Sequence, residues 1–206
     1  MTKMDDAYLD ILKEVGNICS GNASIALAQI LGRKIELEIP SHKILSLNTL
    51  SKELEEPNKV IVGVHMQILG AISGDILLIF PEKSAFALVD LLAQNNRNGN
   101  NVGGIAELGV STLKEIGNII ISAYLGALGT ITKMVILHST PNLACGTVET
   151  IFSLAFSKIQ KYGGEIILIE TYFNEEEHRV NGNFYITFDS ESIKKVLAAT
   201  PKTAEG

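Results

Sequence analysis

The sequence predicts an α+β fold (mixed α/β) made of two copies of one unit, with antiparallel strands and an internal pseudo-two-fold axis. Three observations support this fold class. The chain matches itself when it is shifted by 101 residues. Two long segments have the apolar spacing of helices. Apolar runs joined by short glycine-containing turns have the pattern of neighbouring antiparallel strands.

The repeat is clearest where residues 9–40 align with residues 110–141 without a gap, and eleven of these 32 positions are identical. The shared positions include Leu12-Lys13-Glu14 with Gly16-Asn17-Ile18, answered by Leu113-Lys114-Glu115 with Gly117-Asn118-Ile119, and Pro40, answered by Pro141. Further along, a strand that opens at Gly74 matches one that opens at Gly182. We therefore expect a single domain over residues 1–206 made of two structural repeats, about 6–95 and 105–200, with a linker at 95–104.

The elements follow in the same order in each repeat. In the first we expect a helix at 6–31, strands at 34–39, 43–47, 59–69 and 73–80 with a turn at Gly70, and a helix at 82–94 after Pro81. In the second we expect a helix at 105–131, a strand at 134–139, an extra helix at 148–161, strands at 164–174 and 179–188, and a helix at 190–199. Residues 163–165 and 174–183 are predicted turns, and the Asn/Gly-rich segment 95–104 is the predicted linker.

Composition and charge argue against several classes of function. The 206 residues are 46% hydrophobic and carry a net charge of −6 without a Lys/Arg run, so we expect no nucleic-acid partner. The cysteines, Cys19 and Cys145, and the four scattered histidines have no metal-ligand spacing, so we expect free thiols and no metal of the protein's own. The acidic N-terminus and the polar residues within the uncharged stretches 15–32 and 116–132 predict a cytoplasmic protein without membrane insertion.

Polar residues on each long helix are spaced by four, three and four positions, so they lie along one side of the helix at the solvent edge. We call Asp10, Glu14, Asn17 and Gly21 the first stripe, and Ser111, Glu115, Asn118 and Ser122 the second stripe. The apolar side of the first helix is expected to contain Leu9, Leu12, Val15, Ile18 and Ile25. The stripes could be ordinary solvated residues. In a helix, however, Asn costs about 0.6 kcal/mol relative to Ala and the neighbouring glycine costs about 1 kcal/mol, and both are present twice.

A carboxylate and a carboxamide one turn apart cannot form a hydrolase by themselves, because no acid/base pair or activated nucleophile accompanies them. They could complete a site on a partner that already holds a metal and the reactive group. An uncharged Asn can orient a water near a phosphoryl group without repelling it, and a Glu can pair with a basic residue of the partner. Phosphoryl transfer depends mainly on such positioning.

The doubled pattern D/S-x3-E-x2-N-x22-P resembles the signature of the CheC, CheX and FliY family of chemotaxis phosphatases. It occurs as Asp10, Glu14, Asn17 and Pro40, and again as Ser111, Glu115, Asn118 and Pro141. The chain is most similar to the CheC members, because CheX-like members keep one such site and FliY-like members have a further switch domain, for which no residues follow Gly206.

The resemblance implies a phosphatase that hydrolyses the aspartyl phosphate of a CheY-type response regulator. It implies that Glu14 and Glu115 pair with the regulator's active-site Lys and that Asn17 and Asn118 orient the attacking water. It also implies that the regulator supplies the Mg²⁺, so the protein needs no cofactor of its own. Neither copy departs from the motif, so both sites are expected to work.

A second partner implied by the resemblance is the receptor deamidase CheD, which would bind the extra helix at residues 147–160. Glu149 aligns there with a usually acidic position. The helix's apolar residues could form an exposed patch or belong to the core. They are Ile151, Phe152, Leu154, Ala155, Phe156 and Ile159. Two alternatives remain open at this point: a non-catalytic module that binds the phosphorylated regulator or CheD, and a flagellar-switch component, which the missing domain disfavours.

Overall fold

The computed structural model describes residues 3–46, 58–95, 105–157, 165–175 and 178–199. The helices in these ranges are α1 (Lys3–Leu31), α2 (Glu82–Asn95), α3 (Ile105–Thr132), α4 (Val148–Ala155) and α5 (Ser190–Ala199). The strands are β1 (Glu36–Ser46), β2 (Val60–Gly70), β3 (Gly74–Pro81), β4 (Ile136–His138), β5 (Asn142–Thr147), β6 (Glu165–Glu175) and β7 (His178–Phe188). The predicted α+β class is confirmed.

The strands form one antiparallel sheet in the order β1-β6-β7-β3-β2-β4, and β5 also pairs with β2. The outer strands come from the opposite repeat: β1 of the first repeat pairs with β6 of the second, whereas β4 and β5 of the second pair with β2 of the first. Each repeat therefore completes the sheet of the other.

The internal symmetry is visible in the strand register. Leu77 and Tyr185 are equivalent when Gly74 is aligned with Gly182, and they pair directly with each other between β3 and β7. The pseudo-two-fold axis therefore passes between these two strands, as the duplication predicts. Leu37 and His138 are likewise equivalent under the 101-residue shift, and each lies in a strand at an outer edge of the sheet.

A proline marks the same irregularity in both repeats. The register of β1 on β6 shifts between Glu38 and Ser41, and Pro40 lies within this shift. In the second repeat the corresponding strand is interrupted, and Pro141 lies between β4 and β5. Proline lacks an N–H to donate to a sheet, so it is tolerated at such bulges and breaks near an edge.

Several predicted element boundaries are wrong. The strands predicted at 34–39 and 43–47 are one strand, β1, that continues through the bulge. The strand predicted at 134–139 is reduced to β4, and β5 was not predicted. The turn predicted at 174–183 is mostly strand, because β6 reaches Glu175 and β7 begins at His178. Residue 47 and the linker residues 96–104 lie outside the described ranges.

The long helices α1 and α3 pack on one face of the sheet and on each other. The equivalent residues Cys19 and Ile120 meet at this contact, where the Cys19 Sγ lies 3.9 Å from the Ile120 carbonyl oxygen. Burial raises the pKa of the Cys19 thiol to about 12, because desolvation disfavours the thiolate. Both cysteines are free, as expected, and Cys145 is exposed.

The apolar helix α3 was predicted to be a buried helix. Its segment Gly109–Thr132 is long and apolar enough to cross a membrane by length and composition, but half of the window that meets this test is buried inside the protein. The buried residues Ile116, Ile120 and Leu128 belong to the core between α1, α3 and the sheet. This packing is that of a central helix in an α+β fold.

Candidate functional site

The first stripe lies on the outer surface of α1. Glu14, Asn17 and Gly21 are all exposed, whereas Leu12 and Val15 on the other side of the helix are fully buried. Asp10 belongs to α1, one turn before Glu14, but its side chain lies outside the described part of the chain. The carboxylate and the carboxamide are therefore both accessible to a second protein.

The second stripe lies on α3 in the equivalent position. Ser111 and Glu115 are exposed, and Asn118 and Ser122 are half-buried. Ile116 on the same helix is fully buried. The two Asn side chains thus differ, because Asn17 is more open to solvent than Asn118.

Hydroxyl groups fix each motif helix to the strand that follows it. The Ser20 hydroxyl donates to the Leu37 carbonyl oxygen, and the Leu37 N–H donates to Ser24 Oγ at 2.8 Å. In the second repeat, Ser122 Oγ lies 2.9 Å from Nε2 of His138, the residue equivalent to Leu37. These contacts were not predicted from the sequence, although Ser20 and Ser24 are one helical turn apart and face the same strand.

The glycine of the second motif has a packing function. A Cβ at Gly117 would lie 2.7 Å from Cγ1 of Val64 in β2, so only Gly lets α3 approach the sheet this closely. Gly16 is also buried. Packing therefore accounts for the glycine beside Asn118, and the functional role of Asn17 and Asn118 stays a prediction.

Ile25 lies on the same side of α1 as the first stripe, contrary to the prediction that it belongs to the apolar side. It follows Glu14 by eleven residues, about three full helical turns, so both side chains lie on the same side of the helix. The side chain is 65% exposed, whereas Ala23 and Leu27 are fully buried. The apolar residue type was misleading at this position.

The other polar groups of the described residues form no separate catalytic centre. His65 Nε2 lies 3.0 Å from Oδ1 of the buried Asp75, and His138 contacts Ser122, so both are packed histidines of the expected kind. His42 and His178 lie in β1 and β7. Within the described ranges, no three His, Cys, Asp or Glu side chains cluster as metal ligands. The absence of a metal requirement stays a prediction.

The extra helix lies on the opposite face of the sheet from both stripes. Its apolar residues pack with Leu77 and Tyr185, and the Phe152 and Tyr185 ring centroids are 4.6 Å apart. Four residues of the helix itself are buried: Val148, Ile151, Phe152 and Ala155. Half of the residues of α4 therefore belong to the core, whereas Glu149 is exposed and Leu154 is 67% exposed.

The predicted extra helix at 148–161 is interrupted at Phe156. Thr147 is the N-cap of α4 and Ala155 its last residue, and residues 158–161 of the predicted range lie outside the described residues. Ile159 lies outside the described residues. Beside the helix, a cavity of about 330 Å³ is lined by His65, Leu77, Ile151 and Leu154, among others.

The CheC-like family model matches the chain twice, over residues 8–44 and 108–144, and each match contains one motif helix and the strand region after it. The chain is similar to the CheC-like family in both of its repeats. The CheY-P phosphatase CheC of Bacillus subtilis is 28% identical over 196 residues, which cover 94% of each protein. The predicted resemblance is confirmed.

Two further proteins are similar to this chain, one in sequence and one in fold. The flagellar motor switch phosphatase FliY of Bacillus subtilis is 24% identical over 134 residues, 65% of this chain and 34% of FliY. The crystal structure of FliY from Thermotoga maritima has a TM-score of 0.74 to this CheC-like protein at 18% identity, and the match covers 97% of this chain and 96% of that one. The solved structure thus shares the fold across nearly the whole chain.

Proposed function

We propose that this CheC-like protein is a phosphatase that hydrolyses the aspartyl phosphate of a CheY-type response regulator in bacterial chemotaxis, acting in the cytoplasm. The observation that carries the proposal is the presence of a Glu–Asn pair at equivalent positions of α1 and α3, with both Glu side chains and Asn17 exposed and Asn118 half-buried. A relative that is similar over 94% of its length is named a CheY-P phosphatase, which supports the same activity.

The proposed chemistry is completed on the regulator. Glu14 or Glu115 pairs with the regulator's active-site Lys and holds the two proteins together. Asn17 or Asn118 then accepts a hydrogen bond from a water and aligns it with the phosphorus, while its neutral side chain avoids repelling the phosphoryl oxygens. The regulator's Mg²⁺ offsets the charge on those oxygens. This CheC-like chain thus positions the regulator and the attacking water. The P–O bond to the aspartate breaks as the water oxygen bonds to phosphorus.

A decay assay tests the activity itself. The phosphorylated regulator should lose its phosphoryl group faster when a catalytic amount of the protein is added, with many turnovers per molecule. If the decay rate is unchanged although the two proteins bind, the protein is a binding module for the phosphorylated regulator instead.

The cofactor requirement gives a separate prediction. Protein washed with a chelator and returned to a buffer with a Mg²⁺-loaded regulator should show full activity, because the metal belongs to the regulator. Metal analysis of the washed protein checks that no ion remains. Activity that returns only after zinc or iron is added would contradict the prediction.

We also propose CheD as a second partner, bound at α4. Glu149 lies in the first turn of α4 and is exposed, and the exposed Leu154 offers an apolar contact nearby. Both residues lie on the sheet face opposite the two stripes, so CheD and the regulator could bind at the same time.

Replacing Glu149 with Lys is expected to weaken CheD binding about fivefold or more, since it reverses a charge at the contact. Phosphatase activity should stay near the wild-type value, because residue 149 is remote from both stripes. Calorimetric titration with CheD and the decay assay measure the two effects.

Glu82→Lys is the matched control, because it reverses the charge of an exposed first-turn residue of another helix, α2, and it should leave CheD binding unchanged. An equal loss of binding and activity in the Glu149→Lys protein would mean that α4 has only a structural role.

A further inference from the structure

The first stripe continues past Asn17 into an apolar surface that the second stripe lacks. Gly21 is exposed, and a Cβ added there would meet no atom within 4 Å, so packing within the chain does not require a glycine. Ile25 follows one turn later and is 65% exposed. Both residues lower the stability of the folded chain, because Gly21 has low helix propensity and the exposed Ile25 gains little from apolar burial.

The equivalent positions of the second stripe carry different groups. Ser122 replaces Gly21, and its hydroxyl is engaged with His138 Nε2 at 2.9 Å. Gly126 replaces Ile25, and it is exposed with open space where a side chain would project. The two stripes therefore share the Glu–Asn pair but differ in the surface that flanks it.

We propose that Ile25 and Gly21 form an apolar docking surface for the response regulator, and that this surface gives the first stripe a lower KM than the second. The inference rests on the proposed function, which supplies the occupant: a globular regulator domain that contacts Glu14 and Asn17. Gly21 lets the regulator approach the helix backbone closely, and Ile25 is buried against an apolar side chain of the regulator.

The reach of a regulator domain is sufficient for this contact. Eight residues of α-helix separate Asn17 from Ile25, a rise of about 12 Å. A typical protein–protein interface buries about 800 Å² on each partner, a patch roughly 30 Å across. A regulator centred near Asn17 thus covers Ile25 without any change in the position of α1.

The test isolates each stripe in the full chain. Asn118→Ala leaves the first stripe active, and Asn17→Ala leaves the second. Adding Ile25→Ser to the Asn118→Ala protein should raise KM about five- to tenfold, the loss expected for partial burial of one isoleucine, with kcat nearly unchanged. The same substitution in the Asn17→Ala protein should leave KM unchanged. An unchanged KM in the first case, or an equal rise in both, overturns the inference.

Two further variants make the test specific. Ile30→Ser removes another exposed isoleucine of α1, 39% exposed, from a different side of the helix, and should leave KM unchanged in both backgrounds. Gly126→Ile in the Asn17→Ala protein supplies the missing apolar group and should lower KM.

Direct binding separates this inference from the proposed catalysis. Calorimetry with a regulator loaded with beryllium fluoride, which mimics the phosphoryl group, reports affinity without turnover. Ile25→Ser should weaken this binding about five- to tenfold in the Asn118→Ala protein. Weakened binding by a protein that has no phosphatase activity would refute the proposed function and support the docking surface. Phosphatase activity together with unaltered binding would support the proposed function and refute the docking surface.

Discussion

The double variant Asn17→Ala/Asn118→Ala is expected to lose about 100-fold or more of the stimulated phosphatase rate, because neither stripe can then orient the attacking water. Each single variant should keep substantial activity, since the other stripe retains its own Glu and Asn. Regulator binding should change little, because Glu14 and Glu115 remain in place. Phosphate release from a saturating amount of phosphorylated regulator measures the rate.

The loss of rate would reflect lost positioning of the water, because the two substitutions should not destabilise the fold. Asn17 is exposed and Asn118 half-buried on helices, where Ala has the higher helix propensity. Asn22→Ala, an exposed Asn of α1 that lies off the first stripe, is the matched control and should have wild-type activity. A double variant that unfolds at the wild-type temperature and still works at the wild-type rate would remove Asn17 and Asn118 from the mechanism.

The duplication made the motif helices and the overall symmetry predictable from sequence. Helical periodicity places Glu14 and Asn17 on one side of α1, and the structure exposes both. The same periodicity places Ile25 on that side, but its residue type led to the opposite prediction. The eleven-residue spacing from Glu14 to Ile25 fixes the angle between the two side chains in any helix. That angle predicted the side on which Ile25 lies better than its residue type did.

The strand β5 was not predicted, although the repeat relates it to a segment that was predicted to be a strand. Its residues, Asn142–Thr147, correspond under the 101-residue shift to Ser41–Ser46, the second part of β1. Asn142 and Gly146 have weak strand propensity, so the local pattern did not indicate a strand there. Pairing with the first half of β2, from Val60 to His65, imposes the strand instead. Tertiary context of this kind is absent from any short window of sequence.

The contacts that fix the site could not be predicted from residue type alone. The Ser122–His138 contact needs the register that brings β4 beside β2 and beneath α3. Similarly, Gly117 has a packing role only because Val64 lies opposite it. Sequence thus predicts which side of each helix carries Glu and Asn. The contacts that hold each helix against the sheet depend on strand pairing between the two repeats.

The junction of the two repeats gives the prediction with the largest effect on stability. Gly74 opens β3 where it pairs with the end of β7, and a Cβ there would overlap the backbone carbonyl oxygen of Thr187. Gly74→Ala must therefore separate the two central strands. The same movement strains two neighbouring hydrogen bonds, from the Asp189 N–H to the Ser73 carbonyl oxygen at 3.2 Å and from the Ser73 N–H to Ser192 Oγ at 2.8 Å.

We expect Gly74→Ala to lower the free energy of unfolding by about 3 kcal/mol or more, since backbone cannot yield as a flexible side chain does. Urea unfolding followed by circular dichroism measures the change. Gly126→Ala is the matched control: this helical glycine is exposed with open space at its Cβ, so Ala should stabilise the protein by about 0.5–1 kcal/mol. If Gly74→Ala unfolds at the wild-type urea concentration, β3 and β7 can move apart at little cost, and the close junction of the repeats does not hold the sheet together.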